Sequence, residues 1–219
     1  MLEQWANIPL ELQNRTQWVI AGKDKIPLSA NGKKADVTNS STWCDFNTAC
    51  LLAQNSNLNI GYVLSIDDPY TCIDLDVIDE ETQISKGQPI NPAKWTTQED
   101  LNRYREIVEV LDSYSEKSLS GKGLHIWVKG KIGSGMRRDG VEVYSQERFI
   151  ICTGNGLTNS TIHDRQEILN RMQSQMRTNQ VKTDLVDHPE VLSDEEIIDK
   201  AKNASNSDKF TSVTSSTYL

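Results

Sequence analysis

The chain has 219 residues, 37% of them hydrophobic and 25% charged, and a formal net charge of −8 at pH 7. A length of this order holds one sizeable domain and part of another, and the composition is that of a soluble globular protein. No run approaches the roughly 18 apolar residues of a membrane helix, which excludes a membrane protein, and the first 15 residues lack the basic start, apolar run and cleavage site of a secretory signal, so a cytoplasmic location is expected.

Residues 8–20, IPLELQNRTQWVI, read as a short helix leading into a strand whose apolar end is Trp18, Val19 and Ile20. A lysine-rich loop or hairpin, punctuated by Gly, Pro and Asn, follows over 21–40. Residues 41–54 read as a helix, since Ser41 or Thr42 can cap it and Phe46, Cys50 and Ala53 recur at helical spacing. NIGYVLS (59–65) and YTCIDLDVI (70–78) are two strands around the turn signal IDDP, and they are expected to pair. After a loop over 79–95, Leu101, Tyr104, Val108 and Leu111 form one stripe of an amphipathic helix over 99–114, placed to cover a sheet. GLHIWVKGKI (123–132) and GVEVYSQERFIICTG (140–154) read as strands joined by a connection rich in glycine and arginine. This order predicts an α+β domain with a mainly antiparallel sheet, ending near Gly156. An amphipathic helix over 163–176, a polar linker, and a helix within 191–204 opened by the capping box of Ser193 and Glu196 then read as the start of a second, helical unit. The expected organisation is a main domain over 1–160 and a helical extension over 161–219, the beginning of an incomplete helical domain.

In YTCIDLDVI, Ile73, Leu75 and Val77 point to one face of a strand, and Asp74 and Asp76 to the other. Two carboxylates this close raise each other's pKa and repel unless a cation sits between them. Their oxygens suit Mg²⁺ or Mn²⁺. Taken alone, a D-x-D triplet fits the solvent face of an edge strand equally well. Two further strands add polar groups on a face opposite their apolar set: Glu142 alternates with Val141 and Val143, and His125 with Leu124 and Ile126. Just before His125, SLSGKG (118–123) has the small residues and the Lys122 charge of a phosphate cradle, though such a turn is also a common hairpin connection. Arg148 follows the Glu142 strand, either as a clamp for a triphosphate or in a surface ion pair with an acid such as Glu147.

Between residues 113 and 138, Lys117, Lys122, Lys129, Lys131, Arg137 and Arg138 stand against one acid, Glu116, so a local positive surface is expected on an acidic protein. Cys44, Cys50, Cys72 and Cys152 form no CxxC pair, and we read them as packed thiols rather than zinc ligands.

CIDLD, SGKGLHIWV and GVEVYSQERFIICTG, in that order, resemble the three motifs of the archaeo-eukaryotic primase superfamily: a DhD strand, an SxxxxH-type strand and an hE strand. The preceding KIPLSANGKKADVTNSSTWCDF (25–46) is similar to the N-terminal module of phage- and plasmid-encoded primase-polymerases, and the likeness covers roughly residues 15–156. The resemblance implies an RRM-like catalytic sheet with packed helices and an N-terminal α/β module. It implies that Asp74, Asp76 and Glu142 bind two catalytic Mg²⁺ or Mn²⁺ ions, and that Ser120, His125 and Arg148, with Lys122 nearby, contact nucleotide phosphates. His125 then positions or neutralises phosphate charge. The expected function is template-directed DNA primase/polymerase activity by two-metal nucleotidyl transfer, using NTPs or dNTPs on a single-stranded template and primer, in replication of a phage, plasmid or other mobile element. Lys117, Lys129, Lys131, Arg137 and Arg138 are the expected contacts to the DNA backbone, with Trp127 or Tyr144 able to stack on a base. The zinc-binding cysteine cluster of some relatives and a GxxxxGK[ST] loop are both missing, so a replicative helicase is expected in trans or in a missing C-terminal region. Two other readings remain: a non-catalytic DNA-binding module for replication initiation, or another two-metal phosphoryl enzyme such as a nuclease or nucleotidyl cyclase.

Overall fold

A computed structural model describes residues 3–157 and 159–186 of the chain. In chain order these form α1 (Leu10–Gln13), β1 (Trp18–Ala21), β2 (Pro27–Leu28), α2 (Phe46–Ser56), β3 (Asn59–Leu64), β4 (Tyr70–Leu75), α3 (Glu80–Ser85) and α4 (Gln98–Leu111). After these come β5 (Ser115–Lys117), β6 (Leu124–Lys129), β7 (Met136–Arg138), β8 (Val141–Tyr144), β9 (Arg148–Cys152) and α5 (Gln166–Val186). By its contacts the chain divides into a unit ending at Met176 and a second beginning at Arg177, and of the second the described part is the last stretch of α5.

The architecture is α+β, with two antiparallel sheets. One sheet has the order β2-β1-β3-β9 and the other β5-β6-β4-β8-β7. The apolar face of the second sheet, with Ile73, Leu75, Ile126, Val128, Val141 and Val143, packs against Tyr104 and Leu111 of α4 and Leu169 of α5. The other core lies between the sheets, where Trp18, Ile20, Ile60, Tyr62 and Ile150 meet Tyr70, Cys72 and Trp127, with Phe46, Ala49, Cys50 and Ala53 of α2 closing it.

The expected pairing of the two strands around IDDP does not occur. β3 lies between β1 and β9, whereas β4 lies between β6 and β8 in the other sheet. Both are central strands with neighbours on each side, and the connection carries the chain from one sheet to the other. Asp68 holds that connection: its carboxylate accepts from Ser65 N at 3.0 Å, Tyr70 N at 2.9 Å and Gln17 Nε2 at 2.6 Å, and it is buried. Residues 140–154, read as strands of one sheet, likewise cross over, with β8 in one sheet and β9 in the other.

Helix ends differ from the sequence reading for local reasons. α2 is capped by Asp45, which accepts from Thr48 N at 2.9 Å, while Ser41 and Thr42 form a separate 3-10 turn behind Asn39. α4 starts behind the capping box of Thr97 and Asp100, and Asp112, in the left-handed region at φ 36°, ends it before Tyr114. Residues 163–165 are drawn to the end of β6, where Lys129 N donates to His163 O and Arg165 N to Lys129 O, so α5 begins only at Gln166, and it runs on to Val186. The helix read within 191–204 lies outside the described residues.

Ile73 is fully buried opposite Ile126 and Val143. Ile73→Ala is expected to lower unfolding stability by about 2–5 kcal/mol in urea titration, while Leu51→Ala, at a 60% exposed position of α2, is expected to stay within about 0.5 kcal/mol of the parent.

Candidate active site

Strand register assembles the site. Asp74 on β4 stands directly opposite His125 on β6 and Glu142 on β8. The row continues to both sheet edges, with Glu116 of β5 opposite His125 and Arg137 of β7 opposite Glu142. Five strands therefore contribute one polar residue each, on the same face. Along β4 that face is split: Tyr70 and Cys72 enter the core between the sheets, while Asp74, followed by Asp76, faces a cleft. The same division puts Trp127 in the core and His125 in the cleft on β6.

Asp76 lies just past the end of β4. Its N–H donates to Gly140 O at 2.9 Å and its carbonyl accepts from Tyr104 Oη at 3.0 Å, which holds it beside β8. Gly140 allows this approach, because at its φ of 76° a Cβ would come within 2.0 Å of Tyr104 Oη.

The cleft has a volume of about 1150 Å³ and is walled by both sheets. Asp74, Asp76 and His125 line one wall. Across it lie Lys25 and Lys34 beside β2, and Arg148, which opens β9. The guanidinium of Arg148 is 3.9 Å from Glu142 Oε2 and stacks 4.6 Å above the Tyr144 ring. Arg148 thus reaches the acidic row from the opposite sheet, and its carboxylate partner is Glu142 rather than Glu147.

SLSGKG forms part of the cleft rim, with Ser118, Leu119, Ser120 and Lys122 all lining it. The loop closes on itself through Ser118 N to Gly123 O at 2.9 Å and a 3.1 Å contact between the Ser118 and Ser120 hydroxyls. The Lys122 ammonium is turned away from the acidic row to Asp79 at 2.6 Å and Glu81 at 2.7 Å. Those bonds raise the Lys122 pKa and hold that of Asp79 well below the usual carboxylate range.

Of the cations behind the expected local positive surface over 113–138, most are paired with acids or carbonyls. Lys129 pairs with Glu11 at 2.7 Å, at the end of β6 remote from His125. The Lys131 ammonium is drawn to Ser65 O at 2.6 Å and to Asp68 at 3.4 Å, and so secures the crossing between the sheets. Arg138 pairs with Asp139 at 3.0 Å and reaches carbonyls of α5. Arg137 is bound to Glu142 at 2.9 Å with two thirds of its side chain exposed, and Lys117 is exposed on β5. Alternation along the strands sends these cations to different neighbours. Trp127, considered for base stacking, is fully buried edge-on against Tyr62. Tyr144 is half-buried and donates its hydroxyl to Glu142.

The acidic row is under electrostatic pressure. Burial raises the Asp74 pKa, the charges of Asp76 and Glu142 add to the rise, and His125 opposes it. Burial alone would depress the His125 pKa, but its contact with Glu116 and the charges of Asp74 and Glu116 outweigh that, and the net shift is upward. Burial and the bond to Glu142 push the Tyr144 hydroxyl up to about 12, so it remains a donor at neutral pH. The four cysteines are free thiols whose pKa values burial raises, to about 11 for Cys44 and about 12 for Cys50, which leaves no reactive thiolate near neutrality.

Asp74, Asp76 and Glu142 offer oxygen donors only, the ligand type of Mg²⁺ and Mn²⁺. Among the described residues no three His, Cys, Asp or Glu side chains converge to ligate one ion in this arrangement, in which Glu142 is engaged by Arg137 and Tyr144. Two participants escaped the sequence reading. Glu116 sits in a three-residue strand too short to show alternation. Lys25 reaches the cleft through a turn in which both Asp24 (φ 60°) and Lys25 (φ 58°) are left-handed, a conformation common for Asp but not signalled by a lysine.

No protein-family model matches the chain. Among curated proteins, it is similar to the DNA primase-polymerase of Nitratiruptor phage NrS-1, with 34% identity over 157 residues, covering 65% of this chain and 20% of the phage protein. The chain therefore spans about a fifth of the length of that relative, and the likeness supports a relationship to primase-polymerases.

Proposed function

We propose that the cleft is the catalytic centre of a DNA primase or polymerase, acting on a DNA template with nucleoside triphosphates by nucleotidyl transfer. The observation that carries this reading is the cross-strand row of His125, Asp74 and Glu142, with Asp76 beside it, facing Arg148 on the other sheet. The likeness to a phage DNA primase-polymerase supports it. Asp74, Asp76 and Glu142 would hold divalent ions, Mg²⁺ or Mn²⁺, which when bound lower the pKa of an attacking hydroxyl and neutralise charge at the phosphate under attack.

The chain's own groups divide the remaining work. Arg148 presents a planar guanidinium able to take two phosphate oxygens at once. Lys25 and Lys34 add positive charge to the same wall, so a triphosphate in the cleft lies between cations on one side and the carboxylate row on the other. His125 directs Nε2 toward Asp74, at 3.8 Å, and with both ring nitrogens protonated it is placed to donate to phosphate. Lys122 would reach phosphate after leaving Asp79 and Glu81. Contacts to the DNA backbone fall to exposed Lys117 and Arg137, with strand separation left to a helicase partner.

Incubation with primed and unprimed single-stranded template, labelled dNTPs or NTPs, and Mg²⁺ or Mn²⁺ tests this reading by its products. Longer or new strands are expected. Shortened strands would identify a nuclease, a cyclic nucleotide a cyclase, and template binding without turnover a non-catalytic module, each of which overturns the proposal. Asp74→Asn, Asp76→Asn and Glu142→Gln are each expected to lower incorporation by at least about a hundredfold without loss of fold.

The charge balance gives a separate expectation. Because the Asp74 pKa is raised on folding, the native state holds that proton more tightly than the unfolded chain. Stability is therefore lost as pH rises from the ordinary value of 3.8 through the raised native value, and it stays lower above it. In metal-free buffer at pH 7, Asp74→Asn is expected to be more stable than the parent by on the order of 1 kcal/mol. The advantage should shrink toward acid pH, as read by denaturant titration across a pH series. A thermal shift with Mn²⁺ is expected for the parent and not for the variant.

A further inference from the structure

Glu116 is fully buried on β5, opposite His125. Its Oε2 accepts three hydrogen bonds, from Tyr114 Oη at 2.8 Å, Thr153 N at 3.2 Å and Gly154 N at 2.8 Å. The two backbone donors are themselves fixed: Gly154 has φ 69° and packs so tightly on the N-terminal turn that a Cβ would stand 2.0 Å from Gln4 O. The other oxygen, Oε1, has no hydrogen-bond partner among the described residues, and neither has Nδ1 of His125. These two buried atoms face each other at 3.6 Å. A buried polar atom without a partner is strongly disfavoured, and here closure of the pair by roughly half an ångström, to ordinary hydrogen-bond distance, lets one proton satisfy both.

We propose that Glu116 is the positioning residue of the site, accepting the Nδ1 proton of His125 and thereby fixing the ring with Nε2 toward Asp74 and the cleft. The pairing has the form of a carboxylate that sets the orientation and tautomer of a functional imidazole. Three donors hold Oε2, so Oε1 is aimed by the framework of β5 and the segment after β9 rather than by the histidine itself. Glu116 touches neither the cleft nor a substrate and acts only through His125. Its effect on nucleotide transfer rests on the proposed function, whereas the state of the ring does not.

Long-range ¹H–¹⁵N spectra of the imidazoles, with His125 assigned by its loss in His125→Gln, test the proposal directly. In the parent protein Nδ1 of His125 is expected to carry a proton, in the neutral or the cationic ring. A bare Nδ1 would overturn the assignment, whatever the behaviour of any variant. In Glu116→Gln the amide oxygen can keep the bonds from Tyr114, Thr153 and Gly154, which turns the NH₂ toward His125. Nδ1 must then accept, and the proton is expected on Nε2. A variant that folds with an unchanged ring tautomer would also overturn it, because a carboxylate that merely capped the backbone would leave the ring alone. If Glu116→Gln does not fold, the parent spectrum decides. In the incorporation assay the apparent KM for nucleotide is expected to rise roughly tenfold or more in Glu116→Gln, because a ring whose Nδ1 must accept brings no positive charge to phosphate, with template affinity unchanged. Should the parent incorporate no nucleotide, the proposed function fails while the tautomer result stands on its own.

Discussion

Edge-to-face packing between aromatic rings at one end of the two sheets is the constraint on which the site depends. Tyr62 of β3 meets Trp127 of β6 at 5.5 Å between centroids and Tyr70 of β4 at 6.1 Å, and Trp18 of β1 meets Tyr62 at 5.3 Å. Each such pair contributes about 0.5–1.5 kcal/mol beyond its burial. The rings therefore set how the sheets meet. Further along the same strands the rings give way to Asp74 and His125, and the space between the sheets becomes the cleft. One face of β4 thus serves as core for Tyr70 and Cys72 and as site for Asp74.

The acidic row survives in that position because countercharges arrive from several directions. His125 stands beside Asp74, Arg137 reaches Glu142 from the edge strand, and Arg148 approaches Glu142 from the other sheet. The compensation is uneven. It falls most heavily on Glu142, and Asp74 keeps a raised pKa because burial, Asp76 and Glu142 together outweigh His125. Arg137 of the edge strand and Tyr144 of its neighbour would accordingly compete with a cation for Glu142.

Much of this was legible in the sequence, for a physical reason. Alternation in CIDLD, LHIWV and VEVY separates core from polar residues without any knowledge of the partners, so Asp74, His125 and Glu142 could be placed on non-core faces strand by strand. Strand order was less accessible. A tight turn such as IDDP suggests a hairpin, yet Asp68 uses its carboxylate to redirect the chain, and that role depends on Gln17, distant in sequence. Side-chain partners were the least legible. The basic run over 113–138 counts charges along a line, while the fold sends Lys129 to Glu11, Lys131 to Asp68 and Lys122 to Asp79 and Glu81.

The loop over 118–123 shows how charge read along the sequence differs from charge placed by the fold. Lys122 lies in a segment that reads as a phosphate cradle, but its ammonium bridges to Asp79 at the N-cap of α3 and to Glu81 in its first turn. Both acids are well exposed, so the bridge is weak in water and open to competition. An incoming polyanion offers Lys122 a denser negative charge than two separate carboxylates do. Leaving Asp79 would free the loop from α3, whose residues Glu81, Thr82 and Ser85 also line the cleft. Under the proposed function, this ion pair would have to exchange carboxylate for phosphate before Lys122 could serve the site, so the same geometry that argues against a preformed cradle makes any phosphate contact by Lys122 conditional on leaving α3.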